Sequence, residues 1–389
     1  MDIQLSKDLG KYQTGIFKAL TEKKNEVEAT GKKLFNMFVG TPDFEVFPHI
    51  QKAISEACMN PDNFKYSLVD HPDLLKAVVA YYKKRYGVDL DTTEITSVNG
   101  SQEGLSHIGM ALCDQGDYVL IPNPGYPAFE VSALFSKGTP YYYDLLEEHH
   151  YLPQLDSIPE EVLQHAKYMI VSYPYNPVCA TAPAEFYDEV IAFAKKHNII
   201  IVHDNAYSDI LYDGVYGGSF LEHEGAKEVG VEFFSLSKSF NLTGARISFV
   251  VGNKKIVDGL KLIRSQYDFG MFLPLQYGAI AALTGPLDPV KEQCKKYEAR
   301  RDALYNGMND IGWPVEKCQG TMFSWARIPA KYSSSQQFCM DLVEKAGVLC
   351  TPGSAFGSNG EGYVRFALVL PPEEIRKMCA AIKESGILE

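Results

Sequence analysis

Val231-Glu232-Phe233-Phe234-Ser235-Leu236-Ser237-Lys238-Ser239-Phe240-Asn241-Leu242-Thr243-Gly244-Ala245-Arg246 passes from a short apolar run into a lysine flanked by serines, with an arginine eight residues further on. The run at 231–234 has the β-branched and aromatic content of a strand, and turn residues follow it. A lysine near two serines is by itself an ordinary solvated charge. The same arrangement recurs upstream, however, with polar residues behind strand-like runs at Asn176-Pro177 and at Asp204-Asn205-Ala206-Tyr207.

Working outward, residues 117–270 alternate short apolar runs with segments of helical period, the pattern of a parallel sheet covered by helices. Strands are expected at 118–121, 168–172, 199–203, 231–234 and 247–251. Between the second and third, Phe186, Val190 and Phe193 share a helix face, and Lys195, Lys196 and His197 crowd its C-terminal turn. Ile256, Leu260 and Ile263 repeat the pattern, as do Leu105, Ile108 and Leu112 behind Asn99-Gly100-Ser101; these stripes read as core faces. In open parallel sheets ligands sit outside the C-terminal ends of the strands. Asn176, Asp204 and Lys238, each expected just past such an end, would then surround one crevice. The texture changes near residue 290, where the charged stretch 291–301 precedes strand-like pieces at 322–327 and 363–369. Residues 16–28 are expected to form a helix, followed by an extended stretch at 35–44.

A chain of 389 residues has room for about two domains. With 46% hydrophobic and 22% charged residues it is an ordinary globular sequence, and a formal charge of −12 speaks against nucleic-acid binding. The eight cysteines, 58, 113, 179, 294, 318, 339, 350 and 379, include no CxxC pair, so neither a metal site nor a disulfide framework is expected. No N-terminal signal peptide or apolar stretch of roughly 18 residues is present, which leads to the expectation of a cytoplasmic protein without membrane contact.

Taken together, the motif at 235–246, Asp204 to Tyr207 and Asn176 resemble the class I/II aminotransferases, pyridoxal 5'-phosphate enzymes of the aspartate-aminotransferase fold. The resemblance covers nearly the whole chain. It implies fold type I: a large α/β domain at 46–289 with a mostly parallel seven-stranded sheet covered by helices, and a smaller α+β domain made of 1–45, with the N-terminal arm, and 290–389. It further implies Lys238 as Schiff-base lysine and general base, with the cofactor phosphate held by Ser235, Ser237 and Arg246, an arginine fork suiting a phosphate dianion. Asp204 would pair with the pyridine nitrogen, and Tyr207 and Asn176 would share the cofactor's phenolic oxygen. Gly100-Ser101-Gln102-Glu103-Gly104 opens a helix and is similar to the family's phosphate-binding form, which gives Ser101 and Gln102 that role. Tyr126 matches the aromatic stacked on the ring, and Tyr66 a tyrosine reaching the phosphate of a neighbouring subunit, so a homodimer with shared sites is expected. Arg365, a charge inside a strand-like run, is assigned the substrate α-carboxylate, with Asn176 and the Gly40 backbone beside it.

The activity implied is amino-group transfer between an amino acid and a 2-oxo acid in ping-pong order, within amino acid biosynthesis. Its look is that of the subgroup of diaminopimelate, alanine and aspartate aminotransferases. A pyridoxal-phosphate-dependent carbon–sulfur β-lyase is the alternative, and a non-enzymatic regulator on the same scaffold a more distant one. The chain departs from the family pattern at Val178 and Cys179, where Thr-Gly is common, and at Ala245, where tryptophan is common. Cys179 is read as a packing substitution, and His149 and His150 as surface residues.

Overall fold

The computed structural model describes residues 1–12 and 15–389. Twelve strands are found there: β1 (Phe35–Asn36), β2 (Ile95–Val98), β3 (Tyr118–Asn123), β4 (Thr139–Asp144), β5 (Ala166–Val171), β6 (Ile200–Asn205), β7 (Gly230–Ser235), β8 (Ser248–Gly252), β9 (Phe323–Arg327), β10 (Val348–Leu349), β11 (Thr351–Pro352) and β12 (Tyr363–Ala367). Seven of them form one sheet in the order β2-β8-β7-β6-β5-β3-β4. Strands β4, β3, β5, β6 and β7 are parallel, so their C-terminal ends lie on one edge. β8 is antiparallel to both neighbours, so the seven-stranded sheet is mostly parallel, as expected, although the strand at 247–251 had been read within the parallel pattern.

Each predicted strand is present within a residue or two at either end, since fully buried parallel strands are near-continuous apolar runs. β2 and β4 were not expected. Ile95-Thr96-Ser97-Val98 is buried throughout, and Asp70 accepts hydrogen bonds from both the Ser97 amide and hydroxyl. β4, Thr-Pro-Tyr-Tyr-Tyr-Asp, is the sheet's edge, the place where a proline is tolerated in a strand.

The helical stripes face the sheet as their period demands. Ala184–His197 buries Phe186, Val190 and Phe193 and ends at Asn198 in the left-handed region (φ 55°). Lys254–Arg264 starts at Asn253, whose side chain accepts from the Lys255 and Ile256 amides. Beneath them Phe233, Phe249 and Val202 are sealed from water, each contributing about 1.5–3 kcal/mol by burial.

A three-stranded antiparallel sheet, β11-β12-β9, packs with the helices Asp288–Asp310, Ser335–Ala346 and Pro372–Glu384. The charged stretch 291–301 belongs to the first of these, where Arg300 and Arg301 are buried and ion-paired. Of the extended stretch expected at 35–44, only β1 is a strand. It pairs in parallel with β10, Phe35 opposite Val348. Arg300 clamps Asp43 bidentately at 2.7 Å for both bonds, so residues 36–43 are pinned at both ends. That brings Gly40 over the edge of the large sheet.

Candidate functional site

At the C-terminal edge of the parallel strands lies a cavity of about 580 Å³. Asp204 enters it from within β6, one residue before the strand's end; the sequence had placed it past the end. It is 7% exposed, and its Oδ1 is buried without a hydrogen-bond partner. Burial pushes its carboxyl up from 3.8 to about 6; His203 pulls it down and Glu232 up by smaller amounts. A buried carboxylate oxygen left open is costly, so a cationic or N–H partner is the chemistry it demands.

Lys238 comes from the short helix Leu236–Ser239, which follows β7 directly. Ser235 caps that turn by accepting from the Ser237 amide at 3.2 Å, and Leu236 is fully buried beneath it. The Lys238 Nζ therefore projects into the cavity, where it donates to the Gly40 carbonyl at 2.6 Å. Burial, then the positive charges of Arg365 and Arg246, lower its pKa from 10.5 to about 8. An amine so placed reaches its neutral form far more readily than an ordinary lysine, the condition for a nucleophile or a base.

A set of donors gathers on one side. Gly100 (φ 84°) turns the chain into the helix Ser101–Leu112, and a Cβ there would strike the Arg246 guanidinium. Ser101, Gln102, Ser235, Ser237 and Arg246 all line the cavity. Among the described residues Arg246 is held only by its Nη1 donating to the Thr243 carbonyl at 2.9 Å, which leaves most of its fork unspent. Hydroxyls, a helix N-terminus and a guanidinium converging there suit a phosphate. Tyr126 lines the same space and donates to Gln102 Oε1 at 3.2 Å.

Opposite stands Arg365, in β12 and 7% exposed. Its Nη1 donates to Asn176 Oδ1 at 2.8 Å and its Nη2 to Thr351 Oγ1 at 3.4 Å, while Nε has no partner. The guanidinium lies 4.0 Å from the Phe323 ring centroid and 4.7 Å from that of Phe356. No carboxylate is among these contacts, and burial lowers its pKa from 12.5 to about 10. A buried arginine held by neutral groups asks for an anion. Tyr207 is also buried in this wall, its ring edge-on to Phe323 at 5.9 Å.

Of the residues singled out from sequence, all but one line this cavity in a single chain. Tyr66 does not: it is 84% exposed and packs against Phe269, in a patch with Phe64, Leu68 and Phe272. His149 and His150 are exposed. Cys179 is buried and has φ 64°, the backbone region that explains why glycine is common at this point of the pattern. Sequence reasoning missed Phe323, although its strand was expected. Besides supporting Arg365, its ring occupies the space a side chain at Gly40 would need. Among the described residues no cluster of His, Cys, Asp or Glu could hold a metal, and no helix is long and apolar enough to cross a membrane.

Residues 32–382 match the family model for aminotransferase class I and II. The LL-diaminopimelate aminotransferase of Dehalococcoides mccartyi is 38% identical over 382 residues, 98% of each chain. That of Moorella thermoacetica is 40% identical over 365 residues, 93% of each. Among solved structures, substrate-bound BacF from Bacillus subtilis superposes with a TM-score of 0.94 at 37% identity, covering 99% of this chain and 98% of its own.

Proposed function

As the chain belongs to the class I and II aminotransferases, and so transfers amino groups with pyridoxal phosphate, we propose that its donor is LL-diaminopimelate, acted on in a homodimer whose subunits share their sites. The relatives named above are transaminases, and nothing in them favours the β-lyase. The open Asp204 Oδ1, the glycine-floored donor set around Arg246 and the lowered Lys238 amine together fit pyridoxal phosphate. The single observation that carries the reading of the site is Arg365, buried without an anion on the wall facing Lys238.

When bound, the cofactor supplies an electron sink for the substrate α-carbon. In our reading Ser101, Gln102, Ser235, Ser237 and Arg246 hold its phosphate, and Asp204 keeps its ring nitrogen protonated. Tyr207 and Asn176 steady its phenolic oxygen, and Tyr126 lies against the ring. Arg365, Asn176 and the Gly40 backbone fix the substrate α-carboxylate, so that the α-hydrogen is presented to Lys238. The Lys238 Nζ would tether the cofactor between turnovers, would carry the proton that leaves the donor's α-carbon, and in the second half-reaction would deliver one to the α-carbon of the incoming oxo acid. One cavity thus serves donor and acceptor in turn.

The division into a unit at 46–289 and one of 1–45 with 290–389 is part of this proposal, as is a cytoplasmic location. The site falls where the two units meet. In the cavity lining every charged side chain already has a role: Asp204, Lys238, Arg246 and Arg365. The charged far end of diaminopimelate would therefore be met at the mouth, beside Val39, by a second copy.

The exposed patch at Phe64, Tyr66, Leu68 and Phe272 suits that second copy, since contiguous apolar surface marks an interface. Tyr66→Ala and Lys238→Ala proteins, each nearly inactive, are expected to regain about a quarter of wild-type activity when unfolded and refolded together, because about half of the dimers formed are mixed and each mixed dimer carries one intact site of its two. No regain would place Tyr66 in its own subunit's site.

For the substrate, single-turnover spectra of the cofactor with a panel of donors form the test. LL-diaminopimelate is expected to convert the cofactor to its amine form with a higher kcat/KM than aspartate, alanine or phenylalanine. A preference for an apolar donor would overturn this choice of substrate and leave the transaminase intact.

A further inference from the structure

Lys238 sits in a helix of only four residues, Leu236–Ser239, and so short a turn leaves its last carbonyls without amides four residues further on. The chain then leaves through Asn241 in the left-handed region (φ 58°). For the Lys238 carbonyl a donor comes from outside, where Gln293 Nε2 donates to it at 3.1 Å. Gln293 is buried in the helix Asp288–Asp310, and its Oε1 accepts from Asn241 Nδ2 at 2.7 Å. Both polar atoms of this amide are therefore spent on the turn that carries Lys238. An apolar residue would fill the same space without a buried amide to satisfy, so packing alone does not account for a glutamine here.

The same helix face continues to the segment that carries Gly40. Gln293, Tyr297 and Arg300 recur at i, i+4 and i+7 and are all buried. They meet Glu45, Phe44 and Asp43 in turn. Gln293 does so through Asn241, whose Nδ2 also donates to the Glu45 carbonyl at 3.0 Å. Tyr297 lies edge-on to the Phe44 ring at 5.0 Å, and Arg300 holds Asp43 by its two bonds. Seven residues of helix span about 10 Å. One rigid element thus holds the backbone of Lys238 at one point and, at another, the segment of Gly40, whose carbonyl accepts from the Lys238 Nζ.

We propose that Gln293 is a positioning residue for Lys238, fixing through the lysine's carbonyl where its Nζ stands relative to the Gly40 segment and the substrate α-carbon. The inference rests on the reading of Lys238 as the proton carrier. A lysine stem is flexible, so its amine is well placed only when the backbone it springs from is held. On the other side of the turn Ser239 Oγ donates to Asp209 Oδ2 at 2.6 Å, so loss of Gln293 frees one side of the turn and leaves the other anchored. A misplacement of about 1 Å at the reacting atom can cost about a hundredfold in rate.

The test compares cofactor-loaded wild type with two variants. Gln293→Met keeps the side chain's length and removes both bonds. Asn241→Gly keeps the left-handed backbone and removes the partner of Gln293. Ordinary and α-deuterated LL-diaminopimelate and aspartate serve as donors in single turnovers. Gln293→Met is expected to slow the saturated rate about thirtyfold with the half-saturating donor concentration within about threefold, and to raise the deuterium isotope effect, because proton transfer becomes slower than the steps around it. The pH midpoint of the visible band of cofactor bound through Lys238 should move by about 0.5 unit or more, as the Nζ shifts relative to Arg365 and Arg246. Asn241→Gly should move all of these readouts the same way by less. Borohydride fixation separates this inference from the reading beneath it. Cofactor fixed to Lys238 in every protein, with isotope effect and visible band unchanged in both variants, would overturn the role of Gln293 alone. So would a raised half-saturating concentration at an unchanged rate, which would place Gln293 with the substrate-binding segment. Cofactor fixed to another lysine in the wild type would overturn both.

Discussion

Lys238→Ala is expected to lower kcat about ten-thousandfold, because tether and proton carrier are removed together. The residual cavity remains, with Ser235, Ser237 and Arg246 still in place, so cofactor binding should weaken far less than turnover. Borohydride treatment followed by mass spectrometry should find the cofactor mass on Lys238 in the wild-type protein and on no residue of the variant. The wild-type proton-transfer step should accelerate as pH rises and level off above about 8, where the Nζ is neutral. An unburied lysine would level off nearer 10.5. Turnover that survives in the variant, or cofactor fixed to another lysine, would remove Lys238 from the chemistry.

The second large effect is a trade between stability and function at Asp204. In cofactor-free protein its carboxyl, with a folded pKa raised from 3.8 to about 6, favours folding fully only below its unfolded value. That contribution is lost as pH rises through about 6, leaving an uncompensated buried charge at neutrality. A shift of this size corresponds to about 3 kcal/mol. Asp204→Asn should therefore make the cofactor-free protein more stable at pH 8 by about 2–3 kcal/mol, an advantage that shrinks towards pH 4. The same change should cost about a thousandfold or more in kcat, since a neutral amide cannot keep the ring nitrogen protonated. Urea unfolding of cofactor-free wild-type and variant protein at the two pH values is the check. A variant no more stable at pH 8 would mean that Asp204 is already compensated.

The central strands were legible because burial on both faces writes them as uninterrupted apolar runs, and the residues behind them therefore pointed to one edge of one sheet. β2 was hidden because its Thr96 and Ser97 are buried, the polarity of Ser97 being answered by Asp70, a partner well outside any local window. The reversed direction of β8 lies in the return path through residues 236–247, which periodicity does not encode. Arg365 could be found as a charge out of place in a strand. The contact of Gly40 with Lys238, and of Phe323 with Arg365, could not, since each joins parts of the chain that meet only in the finished fold. For Ser101, Tyr126 and Tyr207 the local sequence was ambiguous, and the family resemblance supplied what spacing alone did not.

The short pairing of β1 with β10 joins Phe35 to Val348 across more than 300 residues. On a ribosome adding roughly 5–20 residues per second, the N-terminal strand waits on the order of 15–60 seconds for its partner to be synthesised. Until then Gly40 has no fixed place, and Arg365 does not yet exist. A nascent chain can build the parallel sheet and present Lys238 well before it can recognise an amino acid. Cofactor capture can therefore precede substrate recognition during synthesis, and a chain truncated before residue 348 would be a vitamin-binding fragment without an enzyme's selectivity.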